Sequence, residues 1–281
     1  MLRPMTDAAV PRPSSTVILL RDERDGDGPF SVLLVERHGS IAFPGATAFP
    51  GGVVDAGDAE APGARLPDAQ RWAPAGEGDR PPDALRYWVA AVRELFEEVG
   101  ILVGDTSDGN PLRGALPADV TALRARVHAG EPFARVLASV GLVLATHRLY
   151  SFARWITPVA NPRRWDTRFL VGRAPDGQEA VPDGAETVGC SWMTPAAALA
   201  AYEAGRIVLI PPTVRTLDDL ARFASIDAVL EDASRRIVRA VTPEIVHAGA
   251  TTAIRYPDNT GGAGAPRRLV LRDGRWRPND A

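Results

Sequence analysis

Three glutamates, Glu94, Glu97 and Glu98, stand at positions i, i+3 and i+4, a spacing that brings side chains together on one face of an α-helix. Like charges so placed repel. Glu97 and Glu98 also fall in the last turn before Gly100, where the helix dipole is already negative. A cation would offset both costs, and a hard, oxygen-liganded ion such as Mg²⁺ or Mn²⁺ suits carboxylates best. Taken alone, such a cluster is more often a solvated acidic helix face.

The element that must position these carboxylates is a helix from about Ala84 to Val99, with Asp83 as N-cap after Pro82 and Gly100 as the stop. At ~100° per residue, Leu85, Trp88, Val89, Val92, Leu95, Phe96 and Val99 cover one arc, and the glutamates cluster opposite. One face packs and the other presents acids. Upstream, the apolar runs Thr16–Leu20 and Phe30–Val35 read as two strands joined by a charged turn. Pro50-Gly51-Gly52 then breaks regular structure, and Gly52 permits a close backbone approach. Residues 59–82 read as a long excursion with a short helix near Asp68–Trp72. Further on, Pro117–Val140 reads as mostly helical, with Pro117 in the first turn and a break at Gly130-Glu131-Pro132. Tyr150–Pro158, Arg168–Val171 and Ser191–Met193 read as strands, Pro195–Ala204 and residues 213–240 as helices, and Leu269–Leu271 as a short strand near the end.

Composition narrows the chemistry. All 32 basic residues are arginine, which removes lysine Schiff-base chemistry and the lysine-dependent phosphate loop. The net charge of -3 gives no global field to recruit nucleic acid, and from Thr213 onward 11 Arg against 9 Asp plus Glu leave only +2. The longest apolar stretch, Val136–Ala145, is too short to span a bilayer, so no membrane partner is expected. Met1–Asp7 carries no apolar leader, and a cytoplasmic location follows by default. The single cysteine, Cys190, cannot form an internal disulfide and is expected in the core. The histidines, His38, His128, His147 and His247, have no metal-ligand spacing. The apolar residues of the tail permit a homodimer.

The segment Arg93-Glu94-Leu95-Phe96-Glu97-Glu98-Val99-Gly100-Ile101 resembles, at every defined position, the second half of the Nudix box. Phe49-Pro50-Gly51-Gly52 through Asp58 resembles the first half, with Asp58 where the family has glutamate. Thirty-four residues, Ala59 to Val92, separate Asp58 from Arg93. Lengthening from about seven residues costs only about 1.4 kcal/mol of loop-closure entropy, so residues 59–85 read as an insertion within the box. The Nudix branch of the peroxisomal coenzyme A and acyl-coenzyme A diphosphatases carries a long insertion there, and Ala153–Pro158, Arg163–Phe169 and Pro211–Thr213 also resemble it. Leu33-Leu34-Val35-Glu36-Arg37 begins that branch's upstream element, but His38 and Ala42 depart from it.

The resemblance implies an α+β fold, an α/β/α sandwich around a mixed sheet, with a Nudix domain over residues 12–220 and a helical and strand extension over 221–281 packed on it. It implies divalent-metal-dependent hydrolysis of a small-molecule diphosphate, coenzyme A or acyl-coenzyme A favoured. Glu94, Glu97, Glu98 and the Gly52 carbonyl would hold the metal, Arg93 would orient the glutamates, and either Glu94 or Glu97 would accept the proton from water. Asp58 and Glu186 are candidate additional acids. Arg37, His38, Arg164 and Arg168 are candidate substrate contacts, with an ion pair to Asp166 the alternative for the last two. Other readings keep the hydrolase but change the substrate to another nucleoside diphosphate derivative or a nucleotide sugar, or make the domain a catalytically silent ligand sensor. An isomerase of the same fold would need a placed cysteine, which Cys190 does not supply.

Overall fold

A computed structural model describes residues 9–23, 28–39, 45–71, 84–249, 251–257 and 267–279. Its main sheet begins with β1 (Arg12–Asp22), β2 (Phe30–Arg37), β3 (Thr47–Ala48) and β4 (Gly51–Val53). A single 3₁₀ turn, Ala56–Ala59, leads away from β4. After the insertion come α1 (Leu85–Val99), β5 (Gly104–Thr106), α2 (Val120–His128), α3 (Phe133–Ala138) and β6 (Leu142–Leu144). The sheet resumes with β7 (Tyr150–Ile156), β8 (Trp165–Arg173) and β9 (Thr187–Met193). Helices α4 (Pro195–Glu203), α5 (Pro211–Leu220) and α6 (Ile226–Arg235) follow. β10 (Ala240–Val241) returns to the main sheet, and β11 (Glu244–Ala248), β12 (Thr251–Tyr256), β13 (Arg267–Arg272) and β14 (Arg275–Pro278) form an antiparallel meander of their own.

The main sheet is mixed: β1 runs parallel to β8 and antiparallel to β2. Side chains alternate across it as a pleated strand requires. Val17, Leu19, Leu33 and Val35 pack toward α1, while Ile18, Leu20, Val32 and Leu34 pack toward α4, α5 and α6. The result is an α/β/α sandwich. β1 changes partner along its length, since Leu20–Asp22 pair with β2 and Ser14–Thr16 pair with β4. That fork holds the Gly51-Gly52 backbone between β1 and α1.

Local signals placed most helix ends. Gly100 adopts the left-handed conformation (φ 73°) and its N–H reaches Phe96 O at 2.9 Å, closing α1. Thr194 and Ser225 cap α4 and α6 through their hydroxyls. Asp83 and Trp72 lie outside the described residues; among those described, Asp68–Arg71 make a turn and no helix. The helix expected from Pro117 starts three residues later because Asp119 accepts from Thr121 N and caps it. Residues 213–240 are not one helix either: α5 ends at Leu220, Ser225 caps a new one, and the chain ends in β10. Cys190 is half-buried rather than fully buried, because β9 pairs only with β2 and leaves its other edge to the Ala180 segment.

The insertion is stitched down at its described end. Gln70 is buried, its Oε1 accepts from Ser151 N at 2.6 Å on β7, and its Nε2 reaches Arg71 O at 3.0 Å and Ala233 O at 3.5 Å on α6. The C-terminal meander is held from the other side: Tyr202 Oη on α4 accepts from Trp276 N at 2.6 Å, and Arg275 Nε donates to Tyr202 O at 2.9 Å.

Candidate active site

The acidic face of α1 is covered. Glu94 and Glu98 are buried, and Glu97 keeps only 17% of its side chain exposed. What covers them is backbone: a Cβ added to Gly52 would lie 2.5 Å from the Glu94 carboxylate, so only glycine lets the strand sit this close. Glu98 Oε2 accepts from Gly51 N at 3.0 Å. On the far side, Asp183 N donates to Glu98 O and Val181 N to Val99 O. A solvated acidic face, the alternative for the sequence cluster, does not describe this arrangement.

Arg93 organises the cluster. Its Nη1 donates to Glu94 Oε1 at 3.0 Å and Glu97 Oε2 at 2.9 Å, and its Nη2 to Val53 O at 2.9 Å. Nε and Nη2 together clasp the two oxygens of Asp58 at 2.8 and 3.1 Å. Burial opposes the guanidinium charge, yet the bond to Asp58 and the fields of Glu94, Asp58 and Glu97 outweigh it and hold the pKa above the ordinary arginine value. Asp58 also accepts from Asp55 N at 2.7 Å. The acid of the first half-box is thus Arg93's anchor, and the two halves of the box meet through that pair.

Burial pushes the Glu94 carboxyl up to about 7, against the pull of Arg93. Burial pushes Glu98 up to about 8, helped by repulsion from Glu94. Glu97 is raised as well, again chiefly by burial. Glu98 Oε1 is buried without a hydrogen-bond partner among the described residues, and Arg37 Nη1 lies 3.8 Å away. Buried acids held near neutrality by desolvation, one with an oxygen unmatched, fit a divalent cation. Among the described residues no three His, Cys, Asp or Glu side chains already converge on one point; here one oxygen of Glu94 and one of Glu97 are turned onto Arg93. The Gly52 carbonyl, the fourth expected donor, accepts from Ser14 Oγ at 2.7 Å and retains a second lone pair.

Glu186 is exposed on the segment before β9, its carbonyl accepting from His38 N at 2.8 Å. Its charge is close enough to raise both Glu94 and Glu98, so it borders the site.

Beside the Gly51-Gly52 strand opens a cavity of about 570 Å³ on the sheet face opposite α1. Arg37 lines it and also donates to Gly51 O at 3.4 Å. Exposed His38, one residue on, does not line it. Strand parity sets Arg168 apart. Trp165, Thr167 and Phe169 of β8 line the cavity, whereas Arg168 points to the α1 side, buried over the Tyr87 ring at 4.7 Å. Arg164 donates to Thr157 O and Ala9 O. Asp166 pairs with Arg154 at 2.6 Å. The arginines that do line the cavity besides Arg37 are Arg12 and Arg163; Arg163 precedes the first residue of β8, so strand alternation gave no signal for it. Arg124 on α2 is another contributor with no local sequence signal: it caps the end of α1 by donating to Glu97 O and to Val181 O.

A family model described as the NUDT19 Nudix domain matches residues 67–222, and one described as the NUDIX domain matches residues 10–119. The acyl-coenzyme A diphosphatase NUDT19 of Homo sapiens is 31% identical over 233 residues, covering 70% of this chain and 62% of that protein. Its namesake in Gallus gallus is 28% identical over 253 residues, covering 75% of this chain and 66% of that one. The chain thus spans somewhat less than two thirds of the length of these curated relatives. Among solved structures, a NUDIX hydrolase from Alicyclobacillus acidocaldarius is similar with a TM-score of 0.65 and 27% identity, over 84% of this chain and 99% of that one.

Proposed function

The chain belongs to the Nudix hydrolases, in the group described by the NUDT19 Nudix domain, and from that premise we propose that it is a diphosphatase whose substrate is coenzyme A or an acyl-coenzyme A. The observation that carries the reading is the pair of buried carboxylates, Glu94 and Glu98, pressed against the Gly51-Gly52 backbone at the end of a cavity large enough for a nucleotide. The substrate follows the printed activity of the relatives.

Glu94, Glu97, Glu98 and the Gly52 carbonyl would hold the divalent ion, Mg²⁺ or Mn²⁺. When bound, it supplies charge neutralisation at the phosphoryl oxygens and a more acidic water. The remaining work falls to the chain. Glu97 is the most open of the three acids and has one oxygen clear of Arg93, so it is the group to take the proton from the attacking water. Arg93 fixes Glu94 and Glu97 relative to each other and to Val53 O, and Asp58 fixes Arg93. Arg37, between Gly51 O and the cavity, faces the anionic substrate. Water adds across the diphosphate, one P–O bond forms and one breaks, and two phosphate monoesters leave.

The test is product analysis by mass spectrometry of wild type and Glu97→Gln with Mg²⁺ and a panel of coenzyme A, acyl-coenzyme A, NADH, ADP-ribose and nucleotide sugars. Metal-dependent formation of 3′,5′-ADP and a phosphopantetheine by wild type, and its loss in the variant, is the expected result. Cleavage of another panel member alone overturns the substrate. An inert wild type that still binds ligand overturns the enzyme reading in favour of a sensor.

A further inference from the structure

The cavity has two ends, and β1 sets the distance between them. Ser15 pairs with Gly52 at the catalytic end, and Arg12, three residues earlier, pairs with Trp165, a separation of about 10 Å at ~3.3 Å per residue. Arg12 shares the cavity face with Ser14 and Thr16, and Arg163 shares it with Trp165 and Thr167. The backbone holds the two arginines together, because Arg12 N donates to Arg164 O at 2.9 Å.

Their electrostatic situation differs from that of their neighbours. Arg154 is paired with Asp166, Arg164 with backbone carbonyls and Arg93 with four carboxylates. Neither Arg12 nor Arg163 makes a side-chain ion pair or hydrogen bond with any described residue. Among the described residues no carboxylate lines the cavity to neutralise them. Much of the remaining wall is aromatic or aliphatic, with Trp155, Trp165, Pro211 and Ile254 among its residues. The layout is an anion site at the Gly51-Gly52 strand, a largely apolar wall, and a second cationic end.

We propose that Arg12 and Arg163 bind a phosphate monoester carried on the substrate's ribose, which in coenzyme A is the 3′-phosphate, and so select phosphorylated nucleotides over their unphosphorylated counterparts. Two guanidinium forks can offer several charge-assisted donors to a dianionic phosphate. The inference rests on the coenzyme A reading for the identity of the ligand, but the subsite itself can be measured without catalysis.

The experiment is titration calorimetry of 3′,5′-ADP and 5′-AMP with wild type, Arg12→Ala, Arg163→Ala and the double variant, followed by kcat and KM for coenzyme A and 3′-dephospho-coenzyme A. Wild type is expected to bind 3′,5′-ADP at least about tenfold tighter than 5′-AMP. Each single variant reduces that ratio and the double variant brings it near one. Arg12→Lys with Arg163 intact restores part of it, and equal thermal midpoints exclude misfolding. Equal binding of the two nucleotides by wild type, or a preference that survives in the double variant, overturns the subsite. A nucleotide preference that follows this pattern in an enzyme unable to cleave coenzyme A upholds the subsite and overturns the substrate reading instead.

Discussion

The close approach of Gly52 to Glu94 can be tested with one methyl group. In Gly52→Ala the new Cβ would sit 2.5 Å from the Glu94 carboxyl carbon and both its oxygens, whereas ordinary contact begins at 3.4 Å, so the carboxylate must retreat by about 0.9 Å. It has little freedom to do so, being buried and held by Arg93 Nη1 at 3.0 Å. A displacement near 1 Å of a group that positions the reaction costs about 100-fold in rate. The stability effect should be smaller. Alanine here reduces the entropy of the unfolded chain by about 0.4–1 kcal/mol, against about 1–3 kcal/mol for weakening a charged hydrogen bond. The net loss of about 1–2 kcal/mol lowers Tm by only about 2–8 °C in a chain of this size. Gly51→Ala is the contrasting variant, since its Cβ would meet Ser15 O at 2.4 Å and Thr16 Cα at 2.6 Å, both backbone, where φ is 156°. That strand cannot yield, and a loss of about 3 kcal/mol or more is expected. Steady-state hydrolysis, Mn²⁺ titration and thermal unfolding of both variants separate the cases. Full kcat and normal Mn²⁺ response in Gly52→Ala would refute the reasoning, and so would a loss of activity that merely tracks unfolding.

Other outcomes follow from the same geometry. Because burial raises Glu94 to about 7 and Glu98 to about 8, the folded metal-free protein binds protons that the unfolded chain has released by then, so its stability falls as pH rises from about 5 through 8. A divalent ion displaces those protons, and the Tm gained with Mn²⁺ should therefore grow over that range; an equal gain at pH 5.5 and 8.5 would contradict this. Asp58→Ala leaves the buried Arg93 without its bidentate partner and should cost about 3 kcal/mol in urea unfolding. Arg93→Lys keeps the charge but cannot reach Asp58, Glu94, Glu97 and Val53 O together, so kcat should collapse as in Glu97→Gln although the helix survives by circular dichroism. Gln70→Ala removes the acceptor of Ser151 N and should cost about 1–3 kcal/mol with kcat retained; a matching fall in kcat would place the insertion in the active site.

Local pattern made α1, its Gly100 stop, the two opening strands and the glutamate triplet legible, because each depends on residues within a turn or a pleat of one another. Ser225 before Ile226-Asp227 was an equally local N-cap signal for the separate α6, masked by the helical composition of the residues before it. The burial of the glutamate face was not local. It requires β4 to fold back from more than thirty residues upstream and lie against Glu94 and Glu98. Choosing among the arginines required knowing which face of β8 carries the cavity: the pattern of Trp165, Thr167 and Phe169 sets Arg168 on the opposite face, but only the placement of α1 says which face meets the ligand, and Arg163 and Arg164 precede the strand altogether.

That long-range closure also accounts for an insertion inside the most constrained motif of the chain. The connection between the half-boxes contributes little to their relative position, since lengthening it costs only about 1.4 kcal/mol of closure entropy. Arg93 supplies the fixed geometry instead, joining Val53 O and Asp58 from the first half to Glu94 and Glu97 from the second. Asp58, a methylene shorter than glutamate, suits this role because the 3₁₀ turn at Ala56–Ala59 brings its backbone near the guanidinium, and the Asp55 N–H steadies its second oxygen. With the halves clamped by a buried ion pair, residues between them are free to reach elsewhere, and Gln70 uses that freedom to tie β7 to α6. The insertion and α6 therefore brace β7, which contributes Trp155 to the cavity wall, and this couples the outer wall of the substrate site to segments far from the carboxylates.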